Sequence, residues 1–239
     1  MNKQTFLTLL ATFALLFSFT FSCHAKGKDK AKHVVFIGLD GWGAYSLPKA
    51  DMPNVKKLME DGAYTLKKRS ALPSSSAINW ASMFMGAGPE LHGYTEWGSK
   101  TPELPSRVLN KNGIFPTVFQ LLRDARPEAE IGCLYEWEGI KYLVDTLSLS
   151  YHYHVADCNK TPKELGNMAS SYIKEKHPAL VAICYDGPDH TGHTAGHDTP
   201  EYYEKLKELD VYVGQIVQAV KDAGMLDDTI FILTSDHGG

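Results

Sequence analysis

The chain has 239 residues, 44% hydrophobic and 22% charged, proportions that suit a folded α/β domain and exclude a disordered or fibrous chain. With 24 Lys and Arg against 28 Asp and Glu the formal charge is −4, which leaves no basic footprint for nucleic acid.

Residues 1–25 read as a signal peptide. Lys3 is followed by the apolar run TFLTLLATFALLFSFTFS, and Cys23-His24-Ala25 offers a small-residue cleavage site. The apolar run is short for a membrane span and is followed by the lysine-rich linker 26–32, KGKDKAK. Export without a transmembrane segment in the mature chain is the expectation. Lipidation at Cys23 is an alternative, against which the large residues ahead of Ser22 argue.

From residue 33 onward, buried strands alternate with helices. HVVFIGLD (33–40) reads as a strand covered on both faces, as parallel sheets require. Pro53 opens the short helix NVKKLMED, which Gly62 closes. Three serines lead into AINWASMFM, whose apolar spacing suits a helix. Residues 113–126 carry a helical pattern with Phe115, Val118, Phe119 and Leu122 on one side, and AEIGCLY follows as a strand. Thr161-Pro162 starts a helix that runs to about Lys176. ALVAICYD (179–186) is the next strand. Thr199-Pro200 opens a long amphipathic helix with Tyr202, Leu206, Leu209, Val213, Ile216, Val217 and Val220 at three- and four-residue spacing. DTIFILTSD (228–236) is the last buried strand. The alternation predicts one domain over 33–239: a doubly wound, mostly parallel sheet with helices on both faces.

Cys133, Cys158 and Cys184 form no CxxC pattern, which argues against a zinc-cysteine site. Cys133 and Cys184 lie within apolar runs and read as small buried hydrophobes; pairing of Cys133 with Cys158 stays open.

Three strands end in acids: Asp40, Asp186 and Asp236. Open α/β sheets gather function at the carboxyl ends of their strands, so this triple points to a metal centre. In GPDHTGHTAGHD (187–198), Asp189 and His193 are four apart and face the same way on a helical turn. Carboxylate with imidazole suits zinc or another first-row divalent ion. His190 and His197 read as loop histidines, and Asp186 is either a ligand or an orienting group. With so little net positive charge, metal ions are also the simplest means of holding a phosphate anion. A serine at the start of AINWASMFM is either an N-cap or a nucleophile beside a helix N-terminus, where an anion is favoured. Residue physics leaves Ser74, Ser75 and Ser76 open.

GLDG, the serine-led helix running into MGAGPELHGY, PDHTGH and TSDHGG occur in that order over nearly all of the mature chain. Together they resemble the type I phosphodiesterase/nucleotide pyrophosphatase branch of the alkaline phosphatase superfamily. The resemblance implies an alkaline-phosphatase-like fold with an incomplete C-terminal part, since the family's last zinc ligand is a histidine well downstream of the Asp-His pair. It implies Ser76 as nucleophile and Asn79 as the amide that binds phosphate. It also implies two Zn2+ ions, one on Asp40, Asp236 and His237 within reach of Ser76 Oγ, the other on Asp189 and His193. His92 could stand in for the absent histidine, although the family keeps it in a structural turn. The substrate implied is a phosphate ester or nucleotide. Phosphomonoester hydrolysis is the alternative, and an inactive or binding-only chain a further one.

Two features depart from the family pattern. Ala77-Ile78 replaces Phe-Pro, and Ser replaces the commoner Thr. The absence of Pro and Arg after Ser76 disfavours a sulfatase. Trp80, if it faced the site, would suit an organic ester group and so a diester. The stretch 97–153 is expected to help shape the substrate pocket.

Overall fold

The computed structural model describes residues 31–156 and 162–239. The signal peptide, Cys23, residues 26–30 of the linker, Cys158 and the Thr161 cap lie outside the described residues.

Strands β1 (His33–Leu39), β2 (Ile131–Tyr135), β3 (Tyr151–His154), β4 (Leu180–Tyr185) and β5 (Thr229–Thr234) form one parallel sheet in the order β3-β2-β4-β1-β5. The helices are α1 (Pro53–Asp61), α2 (Ser76–Met85), α3 (Pro89–His92), α4 (Val118–Ala125), α5 (Pro162–Lys176), α6 (Gly187–Ala195) and α7 (Pro200–Asp222).

Strand alternation divides the apolar side chains between two cores. Val35, Ile37 and Leu39 of β1, with Val181, Ile183 and Tyr185 of β4, pack under α1, α5 and α7. Cys133, Tyr135, Ala182 and Cys184 lie on the other face with Trp80 and Phe84 of α2 and Phe119 of α4. Both faces of the central strands are therefore covered, as their unbroken apolar sequences require. Cys133 and Cys184 are buried free thiols, as expected of small hydrophobes.

Three local expectations change. The helix expected from residue 113 begins only at Val118. Pro116 disfavours helical geometry in Phe115, and Thr117 then caps the helix by accepting the Gln120 N–H at 3.2 Å. Strand β3 is an additional element, too short and polar to stand out as a buried strand. Finally, among the described residues β5 lies at the edge of the sheet and is not fully buried: Phe231 and Leu233 pack on the α1/α5/α7 core, but Ile230 and Ile232 are exposed. The opposite face of this edge is covered by no helix among the described residues, and burial there lapses.

Candidate metal centre and nucleophile

Four neighbouring strands end in acids at one rim of the sheet. In spatial order these are Glu136 after β2, Asp186 after β4, Asp40 after β1 and Asp236 beyond β5. The chain places Asp40 and Asp236 together through Gly41, whose N–H donates to Asp236 Oδ1 at 3.2 Å. Gly41 has φ +65, a left-handed conformation that glycine adopts without strain, and a Cβ there would lie 2.7 Å from the Asp189 Cα. Only glycine lets α6 come this close to the end of β1.

Asp40 is 2% exposed and its Oδ2 accepts the Trp80 indole N–H at 2.8 Å. Gly38 makes room for that indole: a Cβ there would meet the Trp80 ring at 2.2 Å. Trp80 is thus a core side chain, 1% exposed, and does not face an ester group as one reading of the sequence had it. Its link to the site is partly visible in sequence, because Trp80 lies four residues after Ser76 on the same helical face.

Ser76 opens α2, and its Oγ lies 3.2 Å from His237 Nε2 and 3.5 Å from Asp40 Oδ1. His237 Nδ1 lies 2.9 Å from the Gly238 carbonyl, so its N–H goes there and Nε2 turns a lone pair toward the cluster. That nitrogen is 3.4 Å from Asp40 Oδ1, 3.3 Å from Asp236 Oδ2 and 4.0 Å from Asp189 Oδ1. Ligand atoms of Asp40, Asp189 and His237 all fall within 4.8 Å of one another. Asp189 also reaches outward, with Oδ2 3.3 Å from His193 Nε2. Expected with His193 alone, Asp189 also lies close to Asp40 and His237, and so joins the two ligand groups expected from sequence. His193 itself is 75% exposed.

The electrostatics favour a cation here. Burial pushes the Asp40 carboxyl well up, and the charges of Asp236, Asp186 and Asp189 push it further. Burial also raises Asp236, against the pull of His237. Asp236 Oδ2 is buried and makes no hydrogen bond, although His237 stands near it. Closely packed carboxylates, an orphaned oxygen and an imidazole lone pair fit the oxygen and nitrogen donor set of a first-row divalent ion.

The remaining candidates are placed as follows. Asn79 is buried, its Nδ2 donating to Ser75 O at 3.1 Å and its Oδ1 accepting the Ala71 N–H at 2.6 Å. These bonds brace the segment that leads into Ser76. Ser75 precedes α2 without capping it, and its hydroxyl is buried without a partner. His92 is fully buried; its Nδ1 accepts the Tyr94 N–H and its Nε2 lies 3.1 Å from Ser82 Oγ. It is tied to its turn and not available as a ligand. His197 packs beside His193 and Tyr202, outside the cluster.

Three groups escaped the sequence reading. Tyr202 donates to Gly41 O at 2.8 Å and accepts the Gly43 N–H at 3.0 Å, clamping the loop after β1. Lys68, from an irregular segment with no periodic signal, donates to Ser235 O, and burial lowers its pKa. Glu136 is the fourth strand-end acid. Its signal was present, since it follows the apolar run IGCLY just as Asp186 follows LVAICY.

Among the described residues no helix is long and apolar enough to cross a membrane. Residues 34–239 match the family described as type I phosphodiesterase/nucleotide pyrophosphatase. The chain is 26% identical over 221 residues to the bis(5'-adenosyl)-triphosphatase enpp4 of Mus musculus, covering 88% of this chain and 48% of that protein. It is 24% identical over 214 residues to ectonucleotide pyrophosphatase/phosphodiesterase family member 1 of the same species, covering 85% of this chain and 24% of that one. The chain thus spans half or less of the length of these relatives. Among solved structures, the murine ectonucleotide pyrophosphatase/phosphodiesterase 5, an inactive variant in complex with AMP, superimposes with a TM-score of 0.69 at 19% identity, over 87% of this chain and 57% of that one. Fold, ordered motifs and family match agree, and the chain belongs to the type I phosphodiesterase/nucleotide pyrophosphatase family, a branch of the alkaline phosphatase superfamily.

Proposed function

We propose that the protein hydrolyses phosphoric esters, with phosphodiesters and nucleotide pyrophosphate bonds as its substrate class, through a phospho-serine formed on Ser76. The observation that carries this reading is the convergence of Asp40, Asp189 and His237 beside the Ser76 hydroxyl at the start of α2. The relatives support the substrate class: one is named for cleaving a bis-adenosyl triphosphate, and another was solved with AMP.

Asp40, Asp236 and His237 would hold one divalent ion and Asp189 with His193 a second, Zn2+ being the natural choice for these donors. When bound, such ions lower the pKa of a neighbouring hydroxyl and offset the charge of a phosphate. Ser76 Oγ, held between His237 and Asp40, attacks phosphorus in line with the departing ester oxygen. The P–O bond to the leaving group breaks as the bond to Ser76 forms, and water then cleaves the phospho-serine to regenerate the hydroxyl. The N-terminal end of α2 faces the phosphate with the positive end of its dipole. Trp80 and Gly41 keep the two buried carboxylates facing inward throughout. The signal-like sequence of residues 1–25 and the relatives named as ectonucleotide enzymes support work outside the cytoplasm.

The test is turnover of bis-p-nitrophenyl phosphate and of the mono-ester by the full chain with added Zn2+, compared with Ser76→Ala. Zn2+-dependent diester cleavage that Ser76→Ala abolishes is the expected result. Mono-ester preference would move the protein to the phosphomonoesterase alternative. Diester cleavage undiminished in Ser76→Ala would remove Ser76 from its role, and no cleavage with Zn2+ would leave a binding protein.

A further inference from the structure

We propose that Glu136 is a positioning residue for this site: from the end of β2 its carboxyl group caps the N-terminus of α6 and so fixes where Asp189 and His193 stand. The inference rests on the reading of those two residues as ion ligands.

A helix leaves its first N–H groups without partners inside the helix. In α6 the residue at the cap position, Asp186, makes no side-chain capping bond, and Pro188 has no N–H to offer. The acceptor comes from another strand. Glu136 Oε2 accepts the Asp186 N–H at 2.7 Å, and the Gly187 N–H, next in the chain, also favours the charged form of this carboxyl.

Glu136 is itself held firmly. Its N–H donates to Cys184 O at 3.1 Å, His154 Nε2 lies 2.9 Å from its carbonyl, and the residue is 4% exposed. Lys205 of α7 also packs on Gly187, its Cδ 3.0 Å from where a Cβ would sit, while its ammonium bonds Glu208 at 2.7 Å. The first turn of α6 is thus gripped between β2 and α7. Asp189 lies in that same turn, pressed against Gly41 with no room to spare. A shift of the helix start therefore passes directly to the 4.0 Å gap between Asp189 and His237. Burying a carboxyl is costly, and burial pushes this one up to about 8 against the pull of the Asp186 N–H and Lys205. An apolar residue would avoid that cost but leave the helix start uncapped.

The experiment uses the full chain and three variants, Glu136→Ala, Glu136→Asp and Glu136→Gln. Amide hydrogen exchange is read over residues 186–195, and Co2+ affinity and absorption spectrum are read by titration. Glu136→Ala is expected to speed exchange in that segment about tenfold or more while leaving α2 unchanged. It should also weaken Co2+ binding by about 10- to 100-fold, the range for groups that orient metal ligands. Glu136→Gln keeps a carbonyl acceptor and should stay within about threefold of wild type on both readouts, since the acceptor and not the charge makes the cap. Glu136→Asp withdraws the oxygen by one methylene and should behave like Ala, which preserves the test if Glu136→Ala fails to fold. Wild-type exchange over 186–195 in Glu136→Ala or Glu136→Asp overturns the capping. Faster exchange with an unchanged Co2+ spectrum and affinity overturns the link to the ligands. A wild-type chain that takes up no Co2+ overturns the ion-ligand reading of Asp189 and His193, and with it this link, while the exchange data still decide the capping.

Discussion

The two ends of the acid row at the sheet rim use the same residue type for opposite purposes. At the β1/β5 end, Asp40 and Asp236 are buried facing each other, a serine hydroxyl and an imidazole. At the β2/β4 end, Glu136 faces backbone N–H groups, which satisfy part of it. Like charges gathered around a serine hydroxyl are unstable without a cation, whereas a carboxyl on a helix start is not. What a strand-end acid does is decided by what it faces, and facing is set by packing details such as Gly41 against Asp189 and Gly38 against Trp80.

The sharpest way to break this contrast is to neutralise an acid at the β1/β5 end. Asp40→Asn is expected to lower diester turnover by about 10³-fold or more, the scale of losing a group that serves developing charge. The same change should stabilise the chain in EDTA, because it removes one of several mutually repelling buried carboxylates. Thermal unfolding with EDTA and then with excess Zn2+ checks both halves: Asn more stable without the ion, wild type stabilised more by it. If wild type is the more stable in EDTA, the crowded acids are not a cation's vacant counter-charge.

A smaller effect is expected from Trp80→Phe. The ring packing is largely kept but Asp40 Oδ2 loses its donor, at a cost of about 1–3 kcal/mol measurable by urea unfolding. Co2+ affinity should fall as well, since Asp40 is then free to turn. An unchanged affinity would mean that the Gly41 loop alone orients the acids.

Much of this arrangement could be read from the residues. β1, β2 and β4 declared themselves by unbroken apolar runs, α7 by its spacing, and Asp40, Asp189, Asp236, His237 and Ser76 by their motifs. What stayed hidden depends on tertiary neighbours. That β5 lies at an edge follows from strand order, which Ile230 and Ile232 do not encode. The bond from the Ala71 N–H to Asn79 depends on the path of residues 70–75, an irregular segment without periodicity. Glu136 was in plain view but carries no motif, and its role appears only once β2 is placed beside β4.

The mildest test addresses the β2/β4 end through pH. The groups facing Glu136 are Asp186 beyond β4, Tyr185 on it and Lys205 on α7; Asp186 raises its pKa and Lys205 lowers it, with burial the dominant cause. The ordinary value is 4.5 and the folded value about 8. Below the first, folded and unfolded chains both hold the proton and Glu136 contributes no pH dependence. Between the two the unfolded chain is ionised while the folded chain keeps its proton, so stability falls as pH rises. Above about 8 both are ionised and the loss is complete. Glu136→Gln cannot ionise, so its stability relative to wild type should rise steadily across that window and level off above it. Urea unfolding at intervals of pH reads this directly. A difference that stays flat with pH would mean that the N–H groups at the start of α6 hold Glu136 ionised throughout, making its cap a charged one of the same kind that Asp and Glu provide at helix starts elsewhere.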